Sequence, residues 1–261
     1  MKNFNFKSAT NTKEAAKLAT GRAAFLAGGM SILPAMKLRL AAYSDLINIK
    51  KIRSLSGIKV SSKSIRIGAT TTHTEVANSK EVGKSIPSLA VLAEGIGDPQ
   101  VRNRGTIGGS IANNDPAADY PAACLALNAI IYTGKRKIPA DKFFKGMFET
   151  DLKKGELIEA VEFEVPEKSA YAKFPNPASR YALVGVYVAK LKKEVRVAVT
   201  GVESFVFRCK KIEEVLSSNF SPSAIDNVSI SSKGFNADIH ASAEYRAHII
   251  KVMAKKAVSS C

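Results

Sequence analysis

Two pairs of adjacent glycines, far apart in the chain, place the strongest constraint on this sequence. The first pair lies in residues 27–31 (AGGMS) and the second in residues 106–110 (TIGGS). Glycine permits positive φ angles and lets a ligand approach backbone N–H groups closely. Successive N–H groups that point into one concavity bind anions such as phosphate. The two segments therefore predict two loops that together hold a ligand with two phosphates, which is typical of a dinucleotide.

The usual nucleotide-binding fingerprints are absent. No G-x-G-x-x-G links a predicted strand to a helix, and no G-x-x-x-x-G-K-[ST] phosphate loop occurs. The Gly95-Ile96-Gly97 triplet follows a predicted helix and lacks a third glycine at the required distance. An isolated glycine pair is more often a structural turn than a phosphate site, so the pairs alone leave the ligand undetermined.

The composition is that of a folded protein of one or two domains. The chain has 261 residues, of which 46% are hydrophobic, and this is enough for a large core. No apolar run approaches the roughly 20 residues that a membrane helix needs. The N-terminal sequence MKNFNFKSATNTKEAAKLATG lacks the apolar segment of a secretory signal. We therefore expect a cytoplasmic protein without a membrane span.

Cysteine and histidine are too few and too scattered for a metal site. The cysteines are Cys124, Cys209 and Cys261, none of which forms a C-x-x-C pair, and the chain has three histidines. Zinc or iron–sulfur ligation and a disulfide framework are therefore not expected. Any metal redox centre that works with this chain would belong to a partner protein.

The net charge of +16, from 39 basic and 23 acidic residues, would attract polyanions. The basic residues are scattered as isolated pairs, with no long run and no interleaved aromatic residues. This pattern favours a generally basic surface over a nucleic-acid site. The alternative, a basic binding module without enzymatic activity, would show nucleic-acid affinity that depends strongly on salt.

Hydrophobic periodicity and turn residues predict an α+β fold with two domains. The first domain spans residues 1–168, with a small α/β part over about 1–55 and a larger part over about 56–168. The second, smaller domain spans 174–261. A segment with three prolines, 166–177, predicts the connector between them.

Local signals predict several individual elements. Thr72 and Glu75 fit a capping box that opens a helix, and residues 87–94 predict a helix that ends at Gly95. Residues 95–109, five of which are glycine, predict a long loop of the kind that carries binding residues. In the C-terminal domain we expect a hairpin formed by residues 182–191 and 194–202. Three helices are also expected there, at 211–217, 223–228 and about 245–253.

The sequence around both glycine pairs resembles a known family. The strings LAGGMSILPAMKLR and GDPQVRNRGTIGGSIANNDPAADYPA resemble the two flavin-binding motifs of the FAD-binding medium subunits of molybdenum hydroxylases, the xanthine dehydrogenase, carbon monoxide dehydrogenase and aldehyde oxidoreductase type. The resemblance continues through GELIEAVEFEVP to AEYRAHIIKVMAKKA and covers nearly the whole chain. It implies a two-part, PCMH-type FAD-binding domain followed by a smaller domain with an antiparallel sheet and helices.

The resemblance also implies which residues hold FAD. Residues 27–31 and 106–110 would surround the pyrophosphate, Asp119 would bind the polar tail of the flavin, and Tyr181 would lie near the isoalloxazine ring. The complete implied set is Ala27, Gly28, Gly29, Met30, Ser31, Ile32, Ile96, Thr106, Ile107, Gly108, Gly109, Ser110, Asp119, Leu157, Ile158, Lys173 and Tyr181. No catalytic residue and no metal ligand is expected.

Several of these residues have structural alternatives. Asp119 could cap the helix that follows it, Lys173 could be a solvated surface lysine, and Tyr181 could belong to the core. Arg102 and Arg104 flank the second glycine pair and could bind phosphate, lie on the surface or contact a partner subunit. Many members of the family have a Gly-Asp pair where this chain has residues 178–180 (ASR), which puts the surroundings of the flavin ring and the acceptor preference in question.

The implied function is electron transfer within a larger enzyme. Electrons from a substrate oxidised at a molybdenum cofactor on a large partner subunit would pass through [2Fe-2S] clusters on a small partner subunit to FAD on this chain, and then to an external acceptor. The family also implies a dimer of heterotrimers and an aldehyde or carbon monoxide as substrate, with a purine less favoured. The alternative is a self-contained FAD-dependent oxidoreductase on the same cofactor fold, and no nucleic acid is expected as a partner.

Overall fold

The computed structural model describes all residues, 1–261. Its N-terminal part is a three-stranded parallel sheet in the order β1-β3-β2, with two short helices in the connections. The elements are β1 (Asn5–Ser8), α1 (Thr12–Leu18), β2 (Ala23–Leu26), α2 (Ile32–Lys37) and β3 (Asp45–Asn48). The first glycine pair lies between β2 and α2, at the carboxyl end of a parallel strand, where ligands of α/β units commonly bind.

The larger part is a five-stranded antiparallel sheet in the order β4-β5-β10-β6-β7. Six helices follow β5, and all of them except α6 pack apolar residues with the sheet into one core. α8 has every residue buried, which explains its uniformly apolar sequence, YPAACLA. The elements are β4 (Ile58–Val60), β5 (Ser64–Gly68), α3 (His73–Ala77), α4 (Lys80–Ser85), α5 (Pro87–Glu94), α6 (Pro99–Arg104), α7 (Ile107–Asn113), α8 (Tyr120–Ala126), β6 (Ile130–Thr133), β7 (Lys137–Pro139), β8 (Phe144–Gly146), β9 (Glu149–Thr150) and β10 (Ile158–Glu164).

The C-terminal part is a four-stranded antiparallel sheet in the order β11-β12-β13-β14, covered by two helices. Alternate residues of β12 belong to different cores, since Tyr187 packs with the core of the larger part and Val186 and Val188 pack under the last helix. The elements are β11 (Lys168–Pro175), β12 (Ala182–Lys190), β13 (Val195–Thr200), β14 (Phe207–Arg208), α9 (Lys210–Ser218) and α10 (Ala243–Ser259). Both faces of this sheet are buried, so β12 and β13 do not alternate between apolar and solvated residues, and even Arg196 and Thr200 of β13 are buried.

The structure confirms most of the predicted elements. The hairpin of the C-terminal sheet, the capping box at Thr72 and Glu75, the helix that ends at Gly95 and the last helix are present. The prediction of a helix at 223–228 is wrong, since only a 3-10 turn at Pro222–Ile225 forms there. None of the helices is both long enough and apolar enough to cross a membrane.

The glycine content of residues 95–109 predicted a long loop, and this prediction is wrong because most of the segment is helical. Asp98 caps α6, with its Oδ1 accepting a hydrogen bond from Val101 N at 2.8 Å, and Pro99 occupies the first turn of that helix. The Asp-Pro pair is therefore a helix start rather than a turn. The second glycine pair lies inside the first turn of α7.

The segment 166–177 is also not a connector, because most of it is the strand β11. This strand lies at the edge of its sheet and pairs only with β12. Proline is tolerated at strand ends and on edge strands, where its missing N–H costs no ladder hydrogen bond. The C-terminal sheet therefore begins at Lys168 and reaches back to the larger part through β11.

Candidate functional site

A cleft of about 560 Å³ opens where the N-terminal part, α6–α7 and the turn after β11 meet. Its volume lies within the usual range for small-molecule sites. Ile107 and Lys173 do not line it, since Ile107 is buried in the core and Lys173 lies behind Asp119. The remaining fifteen predicted site residues line it: Ala27, Gly28, Gly29, Met30, Ser31, Ile32, Ile96, Thr106, Gly108, Gly109, Ser110, Asp119, Leu157, Ile158 and Tyr181.

The first glycine segment presents a row of free backbone donors to this cleft. None of the six N–H groups of residues 27–32 donates a hydrogen bond within the chain. Gly29 has φ +79°, which turns the backbone between β2 and α2, and all six residues line the cleft. Such a row of unpaired N–H groups is suited to a phosphate or pyrophosphate. The anion-binding prediction for this segment therefore fits the structure.

The second glycine segment does not form a loop with free N–H groups, and that prediction is wrong. Thr106 is the N-cap of α7, and its Oγ1 accepts from Gly109 N at 3.2 Å. Three more N–H groups are also taken, from Ile107 to Thr71 O at 3.1 Å, from Gly108 to Ala69 O at 2.9 Å and from Ser110 to Thr106 O at 3.0 Å, which leaves only that of Thr106 without a partner. This segment can therefore offer a ligand its hydroxyls and the exposed face of Gly109, but few backbone donors.

Two of the glycines allow backbone segments to pack closely. A Cβ added to Gly28 would overlap the backbone of Arg104 and Gly105, and one added to Gly108 would lie 2.5 Å from the Cβ of Ala69. A Cβ added to Gly109 would meet only Thr106 Oγ1, at 2.9 Å. Gly28 therefore lets the first glycine segment pack on the two residues that precede the second, whereas Gly109 faces the cleft.

Asp119 is held at the cleft wall by two side chains of β11. It is only 4% exposed, it accepts a hydrogen bond from the Tyr171 hydroxyl, and its Oδ1 and Oδ2 lie 3.1 and 3.2 Å from Lys173 Nζ. Burial raises the pKa of the Asp119 carboxyl, and the ammonium of Lys173 acts against that rise. The side chain makes no capping bond to α8, and Lys173 is only 11% exposed, so both structural alternatives are wrong.

Cationic side chains fix the backbone around Ile96. Lys173 Nζ donates to Gly95 O at 2.7 Å, and Arg102 Nη1 donates to the carbonyl oxygens of Ile96 and Gly97, both at 3.1 Å. Arg180 Nη1 also donates to Gly97 O, at 3.2 Å. Arg102 therefore positions a cleft-lining segment, a role that the sequence did not indicate.

The opposite rim is formed by Tyr181 and by the start of β10. Tyr181 is 47% exposed and lines the cleft, so it is not a core residue. Leu157 and Ile158 follow Glu156, whose two carboxylate oxygens accept from Arg136 at 2.9 and 2.8 Å. This pairing lowers the pKa of Glu156 to about 2 and fixes the entry into the strand.

Sequence reasoning missed several residues that line the cleft. Asn113 and Asp115 lie in the string ANNDP, directly after the second glycine pair, and proximity to that motif could have indicated them. Several others lie in the second motif or close to predicted site residues, and the same signal could have indicated them; these are Phe25, Val101, Glu156 and Arg180. No sequence signal marks Tyr43 or His73, because the folding of distant segments brings them to the cleft.

His73 is a buried polar residue of the cleft wall. It is 4% exposed, its Nδ1 has no hydrogen-bond partner, and its ring centroid lies 5.4 Å from that of Tyr120. Burial, and secondarily the charge of Arg102, lowers the pKa of His73 to about 4. The imidazole is therefore neutral at physiological pH.

This shift predicts a specific loss of stability in acid. Between about pH 6.5 and about pH 4 the unfolded chain binds a proton at His73 that the folded chain does not, so stability falls as the pH falls. The contribution is up to about 1.4 kcal/mol per pH unit. Urea unfolding across this range should show a shallower pH dependence for His73→Gln than for the wild type. The same substitution at the exposed His240 provides a control for the chemical change itself.

Comparisons with known proteins identify relatives of this chain. The model of the family described as "FAD binding domain in molybdopterin dehydrogenase" matches residues 2–167. The glyceraldehyde dehydrogenase medium chain of Sulfolobus acidocaldarius is 35% identical, over 97% of this chain and 96% of its own length. The carbon monoxide dehydrogenase medium chain of Hydrogenophaga pseudoflava is 39% identical, over 71% of this chain and 69% of its own length. The structure of reconstituted CO dehydrogenase from Oligotropha carboxidovorans has a TM-score of 0.92 at 28% identity, over 99% of this chain and 97% of that chain.

The match to an FAD-binding domain, together with the row of unpaired N–H groups at residues 27–32, defines the class of protein. The chain belongs to the family of FAD-binding medium subunits of molybdenum hydroxylases. The family resemblance, the α+β fold class, the assignment to an oxidoreductase and FAD as the cofactor are thereby confirmed. The relatives are medium chains, that is, subunits of larger enzymes.

Proposed function

We propose that this chain is the electron-transfer subunit of a molybdenum hydroxylase, which receives electrons from a partner's iron–sulfur clusters and delivers them to an external acceptor. The observation that carries the proposal is the row of six unpaired N–H groups on a cleft of an FAD-binding domain. The chemistry that FAD supplies in such a site is electron transfer, and the protein contributes binding, orientation and electrostatics.

The residues have distinct binding roles in this proposal. Residues 27–32 donate to the pyrophosphate of FAD, and the hydroxyls of Thr106 and Ser110 approach it from the facing wall. Ile96, Leu157 and Ile158 provide apolar contact surface. Asp119 accepts hydrogen bonds from the polar tail of the flavin, and Lys173 acts only through Asp119 and Gly95. Tyr181 lies at the exposed rim, on the side where the isoalloxazine ring would be reached by an acceptor.

The partners and the substrate follow from the relatives. A large subunit would carry the molybdenum cofactor and a small subunit the [2Fe-2S] clusters, in a dimer of heterotrimers. We place the boundary of the FAD-binding domain near residue 168 and assign 174–261, together with β11, to the C-terminal domain. The names of the two relatives favour an aldehyde or carbon monoxide as the substrate over a purine.

Anaerobic reduction tests this function. The flavin absorbance of the complex with its partners should bleach when an aldehyde or carbon monoxide is added, whereas the FAD-loaded chain alone should stay oxidised. Absence of flavin from both preparations would contradict FAD binding. Turnover of a small aldehyde or alcohol by the isolated chain would instead support a self-contained FAD-dependent oxidoreductase and overturn the electron-transfer role.

A further inference from the structure

The family motifs leave one buried polar group of the cleft without a role. His73 lies outside both glycine segments, yet it lines the same cleft and is almost completely buried. Its Nδ1 has no partner in the chain, although an unpaired buried polar atom costs about 1–3 kcal/mol. The imidazole therefore makes no hydrogen bond through Nδ1 that would explain a purely structural role.

The surroundings of His73 place its other ring nitrogen close to the phosphate-binding row. A Cβ added to Gly105 would lie 2.6 Å from His73 Nε2, and a Cβ added to Gly28 would overlap Gly105. Gly105 and Gly28 also line the cleft. The Nε2 edge of the ring therefore lies beside the backbone that carries the free N–H groups, and glycine at position 105 leaves that edge uncovered.

A second orphaned group offers a way to set which nitrogen carries the proton. The Tyr120 hydroxyl is also buried without a partner, and its ring lies 5.4 Å from that of His73. A hydroxyl is a donor and an unprotonated Nδ1 is an acceptor, so one internal water would satisfy both. With Nδ1 as the acceptor, the proton of the neutral imidazole resides on Nε2. Burial and the positive charge of Arg102 keep the ring neutral.

We propose that His73 donates an Nε2–H hydrogen bond to a pyrophosphate oxygen of FAD, beside residues 27–32, with its tautomer set by Tyr120. This inference rests on the proposed function, because it assigns a further residue to the same cofactor site. His73 is thus a cofactor-binding residue that lies far in sequence from both glycine segments.

A His73→Phe variant separates this role from a structural one. Phenylalanine keeps a ring of similar size and removes both nitrogens, so the free energy of unfolding without ligand should be unchanged or higher. The Kd for FAD, measured by quenching of flavin fluorescence on the full chain, should rise about 10- to 100-fold, as expected for a hydrogen bond to a charged group. The Kd for ADP, which carries the diphosphate without the flavin, should rise by the same factor.

Two further measurements provide controls. His73→Gln can place an amide donor near the Nε2 position and should restore the Kd for FAD to within a few-fold of the wild type. Nitrogen-15 NMR of histidine-labelled protein, which has only three histidines to assign, should show an Nε2–H tautomer at His73 whose proton shifts when FAD or ADP is added. Tyr120→Phe should weaken this tautomer preference.

The outcomes distinguish the two proposals. Failure of the wild type to bind FAD would contradict the proposed function. Wild-type binding with an equal Kd for His73→Phe, or an Nδ1–H tautomer in the wild type, would overturn the role of His73 alone. A fall in unfolding free energy that accounts for the whole loss of FAD would assign His73 to the fold.

Discussion

An Asp119→Ala variant should lose about 3–5 kcal/mol of unfolding free energy, because it leaves the Lys173 ammonium buried without its counter-charge. Asp119 is 4% exposed and the Lys173 side chain 11%. Removal of the carboxylate also takes away the acceptor of the Tyr171 hydroxyl. The only remaining partner of Lys173 is the Gly95 carbonyl. Urea denaturation of the wild type and the variant measures this loss.

An exposed ion pair of the same chain provides the control. Lys7 Nζ lies 2.6 Å from Asp45 Oδ1, and its side chain is 41% exposed. Removing Lys7 should lower the unfolding free energy far less than removing Asp119, because solvent screens such pairs. The double variant Asp119→Leu with Lys173→Met should recover most of the stability that Asp119→Ala loses, because it removes both buried charges. An Asp119→Ala effect no larger than that of Lys7→Ala would show that the buried pair does not hold β11 against the cleft.

The same buried pair shows why sequence reasoning found some features and missed others. The capping box at Thr72 and Glu75 and the glycine pair at 27–31 are local patterns, so the chain itself specifies them. Lys173 and Asp119 are 54 residues apart, and only the packing of β11 against the larger part brings them together. A lysine that is buried in this way is indistinguishable in sequence from a solvated one.

The two failed loop predictions have a related cause. Glycine and proline indicate a turn when only their own backbone preferences are considered. In the segment after α5, Asp98 and Pro99 instead start a helix. Gly108 lies within α7, where glycine is needed because the helix approaches Ala69 so closely. Pro175 is accommodated because β11 is an edge strand. Tertiary contacts decide each of these cases, and a single sequence does not show them.

A Gly109→Leu variant should lose its FAD while keeping its fold. Gly109 is exposed on the cleft in the first turn of α7, and an added Cβ would meet only the hydroxyl of Thr106. Leucine is a better helix former than glycine by about 0.8 kcal/mol, which offsets a weakened cap at Thr106. The added side chain extends into the cleft that residues 27–32 also line, so the Kd for FAD should rise at least about 100-fold, or about 2.8 kcal/mol.

Substitutions at two other glycines show whether the loss of FAD in Gly109→Leu arises from the filled cleft. Gly83 is an exposed helical glycine of α4 with no atom within 4 Å of an added Cβ, so Gly83→Leu should keep both its stability and its FAD. Gly28→Ala should lose both, because its Cβ overlaps the backbone of Arg104 and Gly105, and its loss of FAD would therefore not identify the ligand site. Flavin content after gel filtration and thermal unfolding, measured together, separate the three variants. Full flavin content in a folded Gly109→Leu chain would show that FAD does not lie against α7, and the assignment of this cleft as the cofactor site would be wrong.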